Sequence, residues 1–597
     1  MKFIFIPFLF LTFFVHAQDQ TPEITLTVSD KNFNSSSYQV ITQEEIQNSQ
    51  SGHLADLLFQ KTNLNLSQST YEPTSIFIRG GDSSHILFLL DGVPLYDPST
   101  IQKTTDLSLI QLSAIKKIEI IKGSQSVLYG GQALIAVVKI FTDFTPQKDI
   151  QIKALTNGYW RSLSAFKSMH INESQNAVIG AAILNGHNQS PLKNSDAVYS
   201  TQDYQMQLSH LYDAESFNLV SKLQLEKQKQ NIPNINDLTS KPVDTDSYQT
   251  EQEYRKMQLL LRSNQNIDFS LSYSENSRQY DIDQAQNFNG YAIHDKYKGQ
   301  LTSMRVDAQV LQNKVIEIKS GAAFENEGFK YIDKDIEKNN EKSNFEGVYL
   351  KSEYFVNGES SLETGFRLDF EKSKYLETTY QLGLNFNQYV KYEFATGFKN
   401  GSLYQKYGSY GNPNLLPELA RTQALTWQSL KNAQTQQSIT LFQTEFKNLI
   451  DTDKSTQRYI NINKAKSTGI EYQMSFKDFL SLSWTYQEPI DQDTHQWLNK
   501  RSLFTSYIEF KHQYHKFMNS LSYKYVSSSD VKYFESSANK VTRLPAYSVV
   551  RLSSDYEYNQ SSKVFLSVDN ILNEKYQTNY EYYNQGIGFI AGLVFKL

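Results

Sequence analysis

From about residue 149 to residue 597 the chain repeats one pattern: segments that alternate apolar and polar side chains, separated by loops rich in Asn, Gln, Ser, Asp and Lys. In 362–370, Leu362, Thr364, Phe366, Leu368 and Phe370 fall on one side, and Glu363, Gly365, Arg367 and Asp369 on the other. Residues 469–476 set Ile470, Tyr472, Met474 and Phe476 against Glu471, Gln473 and Ser475. Residues 480–486 set Leu480, Leu482, Trp484 and Tyr486 against Ser481, Ser483 and Thr485, and 517–525 align Phe517, Leu521, Tyr523 and Tyr525. Successive side chains of a strand point to opposite faces, so each segment has one greasy face and one wet face. A soluble sandwich would share those greasy faces in one core. A transmembrane barrel would turn them to lipid and keep the wet faces in its lumen. Some 450 residues without a linker are too many for one sandwich core, so the barrel is expected. The periodicity alone does not fix the number of strands. In 587–597, Phe589, Ala591, Leu593, Phe595 and Leu597 share a face opposite Gly588, Gly592 and Lys596, and this strand is expected to close the barrel against the first. Gly586, Gly588 and Gly592 lack the spacing and the following helix of a dinucleotide fingerprint.

The opening residues MKFIFIPFLFLTFFVHA (1–17) have Lys2 before an apolar run and a small residue at Ala17, as in a secretory signal cleaved after Ala17. No later stretch of 18 apolar residues occurs, so any membrane crossing is expected to use strands. Residues 20–145 read as mixed α/β. Thr42 to Glu45 fits a capping box, and Ser51 is expected to start a second helix with Leu54, Leu57 and Leu58 on one face. Short apolar runs at 75–78, 86–90, 118–121 and 136–141 read as strands. The chain has no Cys, which excludes disulfide clips, Cys-ligated metal centres and thiol catalysis. Its 58 Lys and Arg against 63 Asp and Glu do not suit neutralisation of a nucleic-acid backbone. Aromatic residues make up 13% of a chain whose mean hydropathy is −0.52, a pairing that suits interfacial aromatic girdles around a wet lumen.

Several motifs resemble those of TonB-dependent outer-membrane receptors, most closely the cobalamin transporter branch. ITLTVSD (24–30) resembles the Ton box. TSIFIRG (74–80), SSHILFLLDGVPL (83–95) and IKKIEIIKGSQSVLYGGQALIAVVKIFT (115–142) resemble the plug domain. YGNPNLLPE (410–418) resembles the barrel signature, and LPAYSVVRLSSDY (544–556) with LSVDNILNEKY (566–576) resembles the last strands.

The resemblance implies a transmembrane β-barrel of 22 antiparallel strands occluded by an N-terminal α/β plug. It divides the chain into a signal peptide (1–17), Ton box and linker (18–35), plug (36–145) and barrel (146–597). About 20 residues per strand and connection leave room for a crossing of about 10 residues. It further implies a monomer in outer-membrane lipid that moves a scarce ligand with energy delivered by TonB. Ile24, Thr25, Leu26, Thr27 and Val28 are β-formers suited to pairing with TonB as an added strand. Arg79 and Lys122 stand where the family places plug cations, with Glu418 as candidate wall partner and Glu363 and Glu471 as further options. Plug loop apices at 67–72 and 96–100 make Ser67, Gln68, Tyr71, Tyr96 and Asp97 the candidate ligand contacts.

Cobalamin is the ligand favoured by the plug match, particularly by Ser84-His85 ahead of ILFLLDG, and by overall length. A ferric siderophore is the rival. Haem fits less well, because no His lies between Phe398 and Asn412. Transporters of this kind can order extracellular loops with calcium, and Asp196, Asp203, Asp237, Asp244 and Asp246 offer oxygens for a hard cation. Their spacing matches no calcium motif, and a solvated acidic loop is the plainer reading. The chain departs from the family at Ile135 and Ala136 (usually glycines), at Lys122 (usually Arg), at Ser124 (usually Pro) and at Leu597 (usually aromatic). A β-branched residue at 135 would resist a positive φ. An enzyme is not expected: HExxH, GxSxG and GxxxxGK[ST] are all missing. A passive porin or adhesin would explain the barrel but not the plug motifs.

Overall fold

Among the described residues, 22 strands hydrogen-bond into a closed barrel. The computed structural model describes residues 38–597 except 68–73, 146–148, 191, 193–194, 196, 238, 240, 246, 265, 388, 430–433, 454–457, 478, 536–537, 560 and 585. Strands run from six residues (Gln151–Thr156) to twenty (Ile293–Gln312 and Ile336–Phe355). The seam joins Gly588–Lys596 to Gln151–Thr156 in antiparallel register, Phe595 opposite Ile152. Reciprocal backbone bonds between Ile150 and Leu597 at 2.7 and 2.9 Å extend it. Closure leaves no free sheet edge, which is what lipid demands of a β structure.

The alternation sorts as expected, inside out relative to a soluble protein. Phe366, Leu441 and Leu566 are about half exposed on the outer face, whereas Glu363, Arg367 and Asp369 are buried on the inner one. What buries the charged face is the plug. Its sheet has the order Tyr38–Thr42, Ile115–Lys122, Ala136–Thr142, Ile86–Leu90, Val93–Pro94. All pairs are antiparallel except Ile86–Leu90 with Ala136–Thr142. Thr42 and Glu45 form a reciprocal capping box on helix Gln43–Asn48. The second helix runs over Leu54–Lys61 and fully buries Leu54, Leu57 and Leu58. His53, not Ser51, is its N-cap, because the Ser51 hydroxyl is taken by Gln60 Oε1 at 2.8 Å. The plug core continues into the wall through Ala420, Phe446 and Ala465.

Ile135 does not strain the plug. It lies outside the set of positive-φ residues, and its amide and carbonyl bond His85 O (3.1 Å) and Gly123 N (2.7 Å). Its side chain covers Gly81, where a Cβ would collide with it.

Candidate functional site, a mouth cavity over a latched plug

Arg79 and Gly80 are the central residues of a two-residue hairpin in which Ile78 and Gly81 exchange backbone bonds. Both take positive φ, +44° at Arg79 and +87° at Gly80, and for the non-glycine residue that is a strained conformation. The guanidinium it presents binds Glu471 through both donors, Nη2 to Oε2 at 2.7 Å and Nε to Oε1 at 3.3 Å. Lys122 Nζ reaches the same Oε1 at 3.0 Å, and the Phe442 ring lies under Arg79 at 4.8 Å. All three charged side chains are at most 4% exposed. Burial holds the Lys122 ammonium below the usual lysine range; the attraction of Glu471 opposes this and the repulsion of Arg79 adds to it. One wall carboxylate thus clamps two plug cations.

Glu418 does not serve Arg79 or Lys122. It sits directly opposite Lys399 on the neighbouring strand and pairs with it at 2.7 Å. It also faces His85 Nε2 at 3.5 Å. His85 Nδ1 stands 3.2 Å from the Asp82 amide and 3.4 Å from Asp82 Oδ1. Glu363 pairs within the wall, to Lys391 at 3.1 Å. Ser124 donates its backbone N–H to Thr422 Oγ1 (3.1 Å), a bond that proline at this position would lack. Arg501 reaches Asp82 at 3.0 Å. Burial opposes ionisation of Asp82, but His85 and Arg501 outweigh it and hold the carboxyl well below its usual range.

Above the plug lies a cavity of about 660 Å³, a size typical of small-molecule sites. Its plug side is formed by Phe59, Leu66, Thr74, Asp97, Thr100 and Asp106. The wall contributes an aromatic rim that includes Trp160, Tyr199, Tyr280, Tyr507, Tyr576 and Tyr582. Arg278, Lys524 and Arg551 line it alongside Asp56, Asp97, Asp106 and Asp569, with Arg551 3.1 Å from Asp569 and Arg278 3.6 Å from Asp97. Asp97 thus lines the cavity, anchored to Ser99 N (2.8 Å) and Asn276 Nδ2 (3.0 Å). Tyr96 does not line it. Its phenol is buried and donates toward Glu325 (2.8 Å) and Glu327 (3.0 Å) of the wall; burial and these carboxylates raise its pKa well above the free value. Lys103 joins the same cluster, 2.7 Å from Glu327. Ser67 is buried in the Asn65–Ser67 strand beside the cavity, with no partner for its hydroxyl among the described residues. Ser84 and His85 also lie away from the cavity, with Ser84 Oγ bonded to Asp82 at 2.6 Å. Gln68, Tyr71 and the segment Ile24–Val28 lie outside the described residues.

Calcium finds no assembled cage among the described residues, where no group of three or more acidic or His side chains is arranged to hold a metal. Asp244 is instead surrounded by hydroxyls from Ser190 (2.6 Å), Ser195 (2.5 Å) and Tyr199 (2.5 Å). Asp237 accepts from Tyr291 OH at 2.7 Å, and Asp203 from Gln205 at 2.9 Å. Asp196 and Asp246 lie outside the described residues.

Sequence reasoning did not single out Lys524, though the alternation of 517–525 already puts it opposite Tyr523 and Tyr525, facing inward. Its ammonium donates to the carbonyls of Phe59 (2.9 Å), Thr62 (3.2 Å) and Leu64 (2.5 Å), at the end of plug helix Leu54–Lys61. A cation there satisfies carbonyls that the helix cannot. Lys524→Met is expected to destabilise the docked plug by about 2–4 kcal/mol, read as an earlier chemical-unfolding transition. An unshifted transition would show that water replaces the lysine at no cost.

Residues 156–571 match the family model for the TonB dependent receptor-like beta-barrel, and residues 30–137 match the TonB-dependent Receptor Plug Domain. The vitamin B12 transporter BtuB of Vibrio cholerae serotype O1 is 25% identical over 608 residues, covering 95% of this chain and 94% of that protein. The siderophore receptor PirA from Acinetobacter baumannii superposes with a TM-score of 0.79 at 14% identity, covering 96% of this chain and 100% of that one. A mutant of the ferric enterobactin receptor PfeA from Pseudomonas aeruginosa gives 0.77 at 13% identity, covering 96% and 99%. At such low identity the two superpositions bear on the fold alone.

Proposed function

The chain belongs to the TonB-dependent receptors of the outer membrane, and from that premise we propose that it imports cobalamin, bound in the mouth cavity and released inward by energy from TonB. The observation that carries the ligand is the alignment with a vitamin B12 transporter over nearly the full length of both chains. The cavity's chemistry agrees. Its cations are already committed: Lys524 to plug carbonyls, Arg551 to Asp569 at 3.1 Å and Gln50 at 3.0 Å, Arg278 to Ser99 O at 3.0 Å. A site with tyrosine faces, amides and balanced charge suits a large, flat macrocycle fringed by carboxamides better than a multiply anionic iron chelate. In this reading Ile24–Val28 is the segment that TonB grips as an added strand.

Equilibrium binding of the purified protein to cyanocobalamin, a ferric catecholate and haem tests the assignment. Cyanocobalamin is expected to bind at least about tenfold more tightly than either rival, a difference of some 1.4 kcal/mol. Preferential binding of the catecholate would replace cobalamin with a siderophore and leave the transporter class intact.

A further inference from the structure

The plug is not held equally on all sides. Charged plug–wall pairs grip it at Glu327, Glu471 and Glu509, with Lys103, Arg79 and Lys61 as their partners, all buried or nearly so. The wall formed by Val198–Asp213, Phe217–Asn231 and Gln249–Ser263 has its charged pair, Lys222 with Asp91, below a long polar stretch. Its strands pair in register, so that Asp203, Gln228 and Gln252 form one inward row. Gln205, Glu226 and Tyr254 form the next, and Gln207, Gln224 and Lys256 the third. Directly opposed residues share a face with Cβ atoms about 5 Å apart, so the rows make a continuous polar tract.

That tract is buried yet unsatisfied. Asp203 Oδ1, Glu226 Oε1, Gln224 Oε1, Gln252 Nε2 and Tyr254 OH have no hydrogen-bond partner among the described residues, and each of these residues is more than nine-tenths buried. The plug segment facing it is similar: neither side-chain atom of Gln111 is partnered, and its amide rests against Gly180. Plug residues 106–111 meet this wall through a neutral bond, Gln205 Nε2 to Ser108 O at 2.8 Å, whereas lower down Lys256 Nζ donates to Pro94 O at 3.0 Å. Buried polar groups of this kind can be satisfied by water or by the polar groups of a solute, so this interface is a polar seam. At its upper end Gln228, Gln252 and Asp106 line the mouth cavity. At its lower end Lys222 closes it against Asp91 at 2.5 Å, and Lys222 also donates to Thr142 Oγ1 at 2.5 Å.

We propose that the ligand leaves the cavity along this seam, between plug residues 106–111 and the wall of strands Val198–Asp213, Phe217–Asn231 and Gln249–Ser263, with the Asp91–Lys222 pair as its lower gate. The route rests on the transport reading above. A carboxamide-rich solute descending it meets acceptors and donors that no protein group occupies, so its polar groups need not go unpaired. Displacing a segment held by neutral bonds leaves the clamps at Glu471 and Glu327 intact.

The chain has no Cys, so tethers can be placed without background. Gln111→Cys with Gly180→Cys, and separately Ser108→Cys with Gln205→Cys, would staple the seam. Ser124→Cys with Gly397→Cys would staple the far wall, where the Ser124 hydroxyl already sits against Gly397. Cyanocobalamin uptake is expected to fall to the level of receptor-free cells in the oxidised seam variants, with surface binding retained. Reductant should restore it, and the oxidised far-wall variant should transport. Transport through an oxidised seam, or equal loss with both kinds of tether, would overturn the route alone. No cyanocobalamin uptake by the unmodified protein would overturn the ligand assignment and the route together.

Discussion

Replacing Glu471 with alanine is expected to weaken plug docking by about 3–5 kcal/mol, because it strands two buried cations rather than one. Arg79 and Lys122 both depend on this carboxylate, and neither has an exposed route to water, with side chains 2% and 3% exposed. The guanidinium's two bonds also hold a turn whose φ of +44° costs about 1–3 kcal/mol in a non-glycine residue. With the carboxylate gone, that strain favours release of the hairpin. The single-cation variants Arg79→Ala and Lys122→Met should each cost less, since Glu471 keeps one partner in either case. The order is therefore diagnostic: Glu471→Ala more than either cation variant, and the double cation variant more than the sum of the two singles, because it leaves Glu471 buried without a partner. Plug unfolding in denaturant, together with the susceptibility of cells to antibiotics too large for ordinary porins, would read it. Equal effects of Glu471→Ala and Arg79→Ala would mean that Lys122 is not part of the clamp.

Leu26→Pro is expected to abolish energised uptake while leaving ligand binding at the cell surface unchanged. An added strand is held by backbone bonds, and proline both removes a donor and resists pairing away from a sheet edge. Leu26→Ile, which keeps the amide and the β-preference, should transport normally. The comparison separates a gripped strand from a plain terminal tail: a tail would tolerate proline, and uptake by Leu26→Pro equal to that of Leu26→Ile would remove Ile24–Val28 from the coupling role.

The barrel was legible because its physics is local. Alternation reports which face of each strand is wet, and Phe366 outside against Glu363 and Arg367 inside follow from period two alone. The plug sheet was legible as short apolar runs, and the first helix by its cap. The latches were legible only in part: Glu471 is among the wall options that the sequence offers Arg79 and Lys122, with nothing to rank it above Glu418. Arg79 and Glu471 are 392 residues apart, and nothing near either selects the other. The true partner of Glu418, Lys399, becomes visible only once the register of the two strands is fixed. An aromatic at a loop apex such as Tyr96 reads as exposed in sequence; Glu325 and Glu327, on a strand more than 200 residues further on, claim its phenol. The helix at 54 began later than expected because Ser51 has a closer acceptor in Gln60. Side-chain networks between distant strands need the third dimension before they can be read.

The ladder between Gln151–Thr156 and Gly588–Lys596 carries a consequence for assembly. The two strands that close the sheet are made at opposite ends of barrel synthesis, so one edge stays open until nearly every other strand exists. An unpaired edge exposes amides and carbonyls that hydrocarbon cannot satisfy. Insertion is thereby tied to completion: a chain stalled anywhere in between cannot settle stably in the bilayer, and the fold inspects its own length before it commits.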